Sequence, residues 1–449
     1  MDIIQWFVDL GPSVMLPIIL FVFGLVLKAK PGKAFKAGLT VGIGFIGLNL
    51  VIGLLGESLG TAAQAMTERF GFNLTTIDVG WPAAAAISYG TVIGSMAIPI
   101  GIAINFILVL VGLTKTLDVD VWDYWHVAFT GSLMFIITGN VPLSIFTFVA
   151  HLLIVFWLSD LMAPDIEKFY GFKNITFPHG GSAPSYLVAK PLNYLFDRIP
   201  GLKNLNADAE SIQKKFGIFG DSTIMGLIIG IVMGTLAGYD LNGILNLGVK
   251  TAAVMLLMPR MVSILMEGLN PISEAASDFV KRKMPDRDIY IGMDSALSVG
   301  HPGVLTASLV LIPITIFLAV ILPGNTVLPF GDLATIPFLI CLMAPAFKGN
   351  VIRLILGGSI YIGVGLYIAT WTAPLVTKAA AAANFDLQNY ASISSLVDGA
   401  VWTTGIFVWV GGNIPWIGIT VLALIGLGGL IYNNKLKPRR SFKEQKKAV

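Results

Sequence analysis

Acids and imidazoles are scarce in this 449-residue chain, with 26 Asp and Glu and 4 His, so those in apolar surroundings are the first candidates for chemistry. Asp294 lies in Ile291-Gly292-Met293-Asp294-Ser295, an otherwise uncharged stretch that ends at Gly300-His301-Pro302-Gly303. A carboxylate in apolar surroundings needs a partner, water or a ligand. It reads either as a substrate contact or as the cap of a broken element, since Asp is a favoured N-cap. His179 lies in Phe177-Pro178-His179-Gly180-Gly181-Ser182, a sharply turned segment. There Gly180 would let a ligand approach the main chain, and Ser182 adds a hydroxyl; a solvated loop histidine is the plainer alternative. His126 and Thr130, four apart on one helical face beside Trp122 and Trp125, form a polar stripe. That stripe faces either a substrate cavity or a membrane boundary, where tryptophans gather. His301 either contacts substrate or satisfies a broken backbone. His151 reads as a packed histidine, Asn49 as a bond between helices, and the pair Glu57 and Glu267 as structural.

Other chemistries lack a signature. No GxxxxGK[ST] phosphate loop occurs. The four histidines read as too scattered for a metal site, and no cofactor is implied. Asp294 looks nearly alone among apolar residues, which argues against an ion relay.

The elements that must position these residues are membrane helices. The chain is 55% hydrophobic and 12% charged, with a mean hydropathy of +0.81, whereas a soluble domain carries roughly 25% charge. Apolar runs predict about eleven spans: 12–29, 34–56, 91–114, 122–138, 141–162, 221–238, 243–265, 303–323, 331–347, 351–371 and 413–432. Each is close to the roughly 20 residues that cross a bilayer. Residues 57–72 and 268–286 read as interfacial helices. Residues 79–90 and 290–302 are short and broken by Gly or Pro, and read as re-entrant elements. Cys341, the one cysteine, lies in an apolar run and reads as packing. The N-terminus lacks the basic region of a cleaved signal. The tail, 433–449, holds Lys435, Lys437, Arg439, Arg440, Lys443, Lys446 and Lys447 and reads as cytoplasmic rather than as a nucleic-acid arm.

The sequence also repeats itself. Shifted by 210, residues 15–66 align on 225–276 without a gap, with ten identities in 52 positions. These include Gly24 with Gly234, Gly38 with Gly248 and Glu57 with Glu267. Ala163-Pro164 meets Ala373-Pro374 at the same shift. The predicted division is a first repeat over 1–210, joined through 163–220, and a second over 211–412. A final helix follows at 413–432. Five spans per copy is an odd number, so the second copy enters the membrane inverted. Loop charge agrees: Lys28, Lys30, Lys33 and Lys36 fill the first loop of copy one, while its counterpart holds only Asp240. The next loop reverses the bias, with Arg69 against Lys281, Arg282, Lys283 and Arg287. Positive-inside then puts the N-terminus outside and 163–220 and the C-terminus in the cytoplasm. Inverted repeats bind substrate near the midplane, where broken helices meet.

Several stretches resemble the galactitol-specific enzyme IIC family of the bacterial phosphotransferase system: Asp78-Val79-Gly80-Trp81-Pro82, Pro178-His179-Gly180, the run from Lys250 to Arg260, and the run from Leu322 to Thr335. The likeness covers roughly residues 9–432. It implies an all-α, multi-pass protein of the inner membrane that carries galactitol or a related polyol. A separate cytoplasmic enzyme IIB, served by enzyme IIA and phosphorylated on a cysteine of its own that is not Cys341, would phosphorylate the polyol; the chain itself would be non-catalytic. The distantly similar ascorbate transporters imply a homodimer in which a core domain moves against a static one, elevator-fashion. They also imply substrate contact by a hairpin histidine and an acid in the second broken element, positions that His179 and Asp294 occupy here. That family follows its histidine with glutamine where this chain has Gly180. A polyol offers only hydroxyls, which suits carboxylate, imidazole and serine, with Trp81 against its carbon face. The competing readings are an ion-coupled secondary transporter of a small polar solute, and a channel or receptor.

Overall fold

The structure is a computed structural model that describes residues 10, 12–55, 57–58, 61–71, 74–120, 123–202, 222–283, 289–329, 331–383, 385 and 392–436. It is helical for most of its length. Helices α1 (Pro12–Val26), α2 (Pro31–Leu55) and α3 (Thr61–Phe70) open the first half. After a short strand β1 (Thr76–Asp78) come α4 (Gly80–Gly90), α5 (Val92–Leu110), strand β2 (Thr116–Asp118), α6 (Tyr124–Thr138), α7 (Val141–Tyr170), β3 (Ile175–Thr176) and α8 (Ala183–Phe196). The second half runs α9 (Ser222–Ala237), α10 (Leu241–Lys283), β4 (Tyr290–Gly292), α11 (Ala296–Val299), α12 (Pro302–Ile321) and β5 (Val327–Leu328). It ends with α13 (Ile336–Ile340), α14 (Met343–Ala346), α15 (Val351–Ala382), β6 (Ile393–Ser394), α16 (Trp402–Asn413) and α17 (Pro415–Ile431).

Among the described residues five helices are long and apolar enough to cross a membrane: α5, α7, α12, α15 and the stretch Pro415–Leu436. With several shorter apolar helices beside them, they make this a multi-pass membrane protein.

Two expected spans differ. Residues 331–347 do not form one helix; they break into a 3-10 turn at Leu333–Thr335, then α13 and α14. Pro345 explains the break, because its ring excludes the carbonyl four residues earlier and it has no N–H to donate. Conversely, the expected span 243–265 and the described part of the expected interfacial helix 268–286 lie in one continuous helix, α10. Pro271 lies inside it without ending it.

The halves share detailed geometry at an offset of 210. Gly139 and Gly349 both adopt positive φ, at 63° and 75°. Each precedes an asparagine, Asn140 or Asn350, whose side chain accepts from the backbone N–H three residues on, at 3.0 Å in both cases. These caps start α7 and α15. In the first hairpin a Cβ on Gly38 would lie 2.6 Å from the carbonyl oxygen of Pro17. In its counterpart a Cβ on Gly248 would lie 3.3 Å from that of Leu227. Glycine at both places lets paired helices touch backbone to backbone.

The sequence reading contains no strands, yet six short ones form two parallel three-stranded sheets, in the orders β5-β1-β6 and β2-β4-β3. Each central strand comes from one half and both its neighbours from the other. Ile77 faces Leu328 on one side and Ile393 on the other. Ile291 likewise lies between Leu117 and Ile175. Extended backbone in a bilayer must be paired, and two or three residues per strand suffice here because each central strand is sandwiched.

Candidate functional site

Parallel strands deliver all their C-terminal ends to one side, so each sheet gathers three turns at a single place. This is the physical reason ligands sit beyond the carboxyl ends of parallel strands. At the β5-β1-β6 sheet the gathered turns carry Asp332, Gly80-Trp81 and Ser395 to Asp398. At the β2-β4-β3 sheet they carry Asp118, Asp120 and Asp123, Met293 to Ser295, and His179 to Ser182.

The first set is a latch. Asp78 accepts from the N–H of Asp332 at 2.8 Å, of Gly80 at 3.2 Å and of Leu396 at 3.3 Å. Asp332 accepts from Trp81 N–H at 2.7 Å, from the Ser395 hydroxyl at 3.0 Å and from Val397 N–H at 3.2 Å. Both acids are buried, and together they tie the two halves through the backbone groups that the broken helices leave over. Trp81 is half-buried beside this latch and packs against the cluster that contains Trp125.

The second set is different. The rings of His126 and His179 lie 4.2 Å apart, centroid to centroid, and the Trp125 indole stacks on His126 at 3.9 Å. His179 Nε2 is 3.8 Å from Asp294 Oδ1. Its Nδ1 accepts from Ser182 N–H at 3.2 Å, so the neutral ring carries its proton on Nε2. His126 donates from Nδ1 to the Asp398 carboxylate at 2.9 Å, which leaves its Nε2 an acceptor. Ser182 and Ser295 hydroxyls bond each other at 2.9 Å across the two turns. A Cβ on Gly180 would sit 2.7 Å from Cβ of His126, so only glycine lets the hairpin close on the helix. Asp294 also accepts from Ala296 N–H at 2.8 Å, an Asx turn just ahead of α11, whose N-cap position is Ser295 rather than Asp294.

The sequence-predicted residues therefore divide. His126, His179, Gly180, Ser182 and Asp294 converge. Thr130 lies one turn from His126 but bonds Thr404 at 3.3 Å and His151 at 3.1 Å. His151 also reaches Thr403 at 3.1 Å and is a satisfied buried group, as its apolar span suggested. His301 caps α12 through Gly303 N–H at 3.1 Å and packs on Phe169 and Tyr170. Cys341 is buried and free. Trp122 and the tail beyond 436 lie outside the described residues, as does the side chain of Asn49.

Two expectations are corrected. Asp294 is not alone: one carboxylate oxygen each from Asp120, Asp123 and Asp294 lie within 4.8 Å of one another. Two of the four histidines are not scattered either, since ligand atoms of Asp123, His126 and His179 also lie within 4.8 Å of one another. Sequence reasoning passed over Asp120, Asp123 and Asp398. The first two stand in Asp118-Val119-Asp120-Val121-Trp122-Asp123, where three acids at spacings of two and three precede an apolar helix. That pattern is the one signal available, and it also describes an ordinary loop.

With this geometry in place, comparison with known proteins identifies the relationship. The family described as the PTS system sugar-specific permease component matches residues 6–389. The chain is 40% identical over 450 residues to the "PTS system galactitol-specific EIIC component" of Escherichia coli strain K12, covering 100% of this chain and 99% of that one. The protein of the same description from Escherichia coli O157:H7 matches equally. A "Putative permease IIC component" of strain K12 is 36% identical over 425 residues, 94% of this chain and 96% of the other. A match of this extent shows the family, and the chain belongs to the sugar-specific permease components of the phosphotransferase system.

Proposed function

We propose that this protein is the membrane-spanning enzyme IIC that carries galactitol or a closely related alditol and presents it for phosphorylation by a separate cytoplasmic enzyme IIB, charged in turn by enzyme IIA. The observation that carries the reading is the convergence of His126, His179, Asp294, Ser182 and Ser295 beyond one parallel sheet. The full-length relationship to galactitol-specific components supports it. An alditol is neutral and has only hydroxyls, each both donor and acceptor. His179 Nε2–H supplies a donor, His126 Nε2 an acceptor, and the carboxylates further acceptors. Gly180 admits the ligand to the main chain, and the indole of Trp125 shields the site from lipid. Trp81, Thr130 and His301 stand behind these contacts and hold the elements that bear them.

In the same reading the halves are inverted copies of a five-span unit, about eleven spans in all. The N-terminus faces outside, and 163–220 and the C-terminus face the cytoplasm. The caps and glycine contacts repeated at an offset of 210, and the mutual exchange of strands, support this. A homodimer in the lipid bilayer with an elevator-like core is the corresponding mode of movement. Phosphorylation keeps internal free substrate low, so no ion gradient is required.

Two measurements test the reading. In vesicles supplied with the soluble phosphotransferase components, collapsing the proton and sodium gradients should leave alditol phosphate accumulating. Uptake that stops with the gradients would favour the ion-coupled alternative. A binding screen across alditols should select galactitol or a close stereoisomer, and Asp294→Asn and His179→Ala should each remove binding from folded protein.

A further inference from the structure

The aromatic rings at the end of the β2-β4-β3 sheet form a row. Trp125 stacks on His126 at 3.9 Å, and His126 lies 4.2 Å from His179. His179 in turn lies 6.1 Å from Phe338, at an interplanar angle of 35°. The first three are buried. Phe338 is partly exposed, and of the five residues of α13 it is the one that is not buried. The row therefore opens at Phe338, next to the imidazole whose Nε2 approaches Asp294.

The segment that carries Phe338 is pinned to both turns of the site. Helix α13 packs beside α11, which follows Asp294. The Cys341 thiol donates to the Phe338 carbonyl at 3.3 Å and lies against the hydroxyls of Ser182, Ser295 and Ser298. The Cys341 carbonyl accepts from the Tyr170 hydroxyl at 2.6 Å. Upstream, Asp332 is held in the latch. An aromatic side chain on a backbone fixed in this way presents its ring at a set place, with only two torsions to order.

An alditol is not polar all round. Its carbon chain carries C–H bonds between the hydroxyls; these are slightly positive, whereas the face of a phenyl ring is negative. Ligand sites combine a few orienting polar groups with apolar and aromatic walls. Trp81, the ring expected at the carbon face, sits beside the latch, where Asp332 accepts its backbone N–H. We propose that Phe338 is the apolar wall of the site: its ring packs against the carbon face of the alditol while His126, His179 and Asp294 take hydroxyls. The inference rests on the alditol reading above and deepens it. It makes Phe338 a residue of selectivity, because an epimer that turns a hydroxyl toward the ring would bury that hydroxyl without a partner.

The experiment is calorimetric titration of the full-length protein in nanodiscs with galactitol and with its epimer glucitol. It compares the unaltered protein with Phe338→Ala, Phe338→Leu and Phe338→Tyr. Phe338→Ala and Phe338→Leu should each weaken galactitol binding by about fivefold or more, and Phe338→Tyr should keep it within about twofold. Discrimination between galactitol and glucitol should shrink in Phe338→Leu. Leucine fills much of the same space, so the melting midpoint of that variant without ligand should stay within about 3 °C of the unaltered protein's. Unchanged galactitol affinity in Phe338→Leu overturns the proposal, as does a loss of affinity matched by a larger fall in that midpoint. Absence of alditol binding by the unaltered protein would overturn the alditol reading itself, whereas binding that none of the variants changes overturns the wall alone.

Discussion

At the scale of single residues, the hydrogen bond from His126 to Asp398 decides what the imidazole can offer. Asp398 takes the Nδ1 proton at 2.9 Å and 3.1 Å from its two oxygens, and both side chains are buried. Such a partner fixes tautomer and ring orientation together. Asp398→Asn keeps the shape but can present an amide N–H to Nδ1 and reverse the tautomer. Galactitol affinity measured by calorimetry should fall by roughly tenfold or more, with a similar loss in His126→Ala and no further loss in the double variant. Gly180→Ala should also stop binding, because the new methyl would meet Cβ of His126 at 2.7 Å; normal uptake by that variant would contradict the hairpin geometry. His179, Gly180 and Asp294 were legible in the sequence because a lone acid or imidazole among Gly, Pro and apolar residues has few explanations. Asp120, Asp123 and Asp398 were not, because each stands in a segment that also reads as a connecting loop. Only strand pairing across more than a hundred residues shows that these loops meet.

Elements raise the same contrast. Long helices were readable from hydropathy, but strands of two or three residues have no period to detect. Their existence depends on pairing with the other half. The Asp78 and Asp332 latch is what holds the three turns of the β5-β1-β6 sheet. Removing the Asp332 carboxylate leaves the N–H groups of Trp81 and Val397 and the Ser395 hydroxyl without an acceptor. Each buried group left unpaired costs about 1–3 kcal/mol. Asp332→Ala should therefore reduce folded yield and lower the melting temperature in detergent even without substrate, whereas Asp294→Asn should remove binding with little thermal effect. Thermostability and galactitol binding measured on both variants separate the latch from the site. If Asp332→Ala melted like the unaltered protein, the latch would have no structural role. A second tie sits at the opposite end of β2. Asp160 accepts from the hydroxyls of Thr114 and Thr116 at 2.9 Å and 2.8 Å. It also accepts from the Asn434 amide at 2.7 Å. The residues just after α17 thereby fasten the start of the strand whose far end carries Asp120.

For the whole molecule, the exchange of strands makes the two halves interdependent. Residues 1–210 alone contain β1, β2 and β3 but neither β4 nor the flanking pair β5 and β6. Each half expressed alone should be degraded, and the two co-expressed should recover binding. Orientation is the remaining property of this scale, and the loop charges make a definite statement about it. Lys30 follows α1 by four residues and Lys283 ends α10. Through the repeat, these loops sit at different places in the two copies. If the second copy is inverted, both loops face the cytoplasm. Cys341 is buried, so Lys30→Cys and Lys283→Cys can be introduced one at a time in a Cys341→Ser background. A membrane-impermeant maleimide added to spheroplasts should then label neither, and inside-out vesicles should expose both. A control cysteine at Asp240 should give the opposite pattern, because its loop is the counterpart of the Lys30 loop. Labelling of Lys30→Cys and Asp240→Cys from the same side would mean that both copies cross the membrane in one sense. The two halves would then not be inverted copies, and the exchange of strands between them would need another origin.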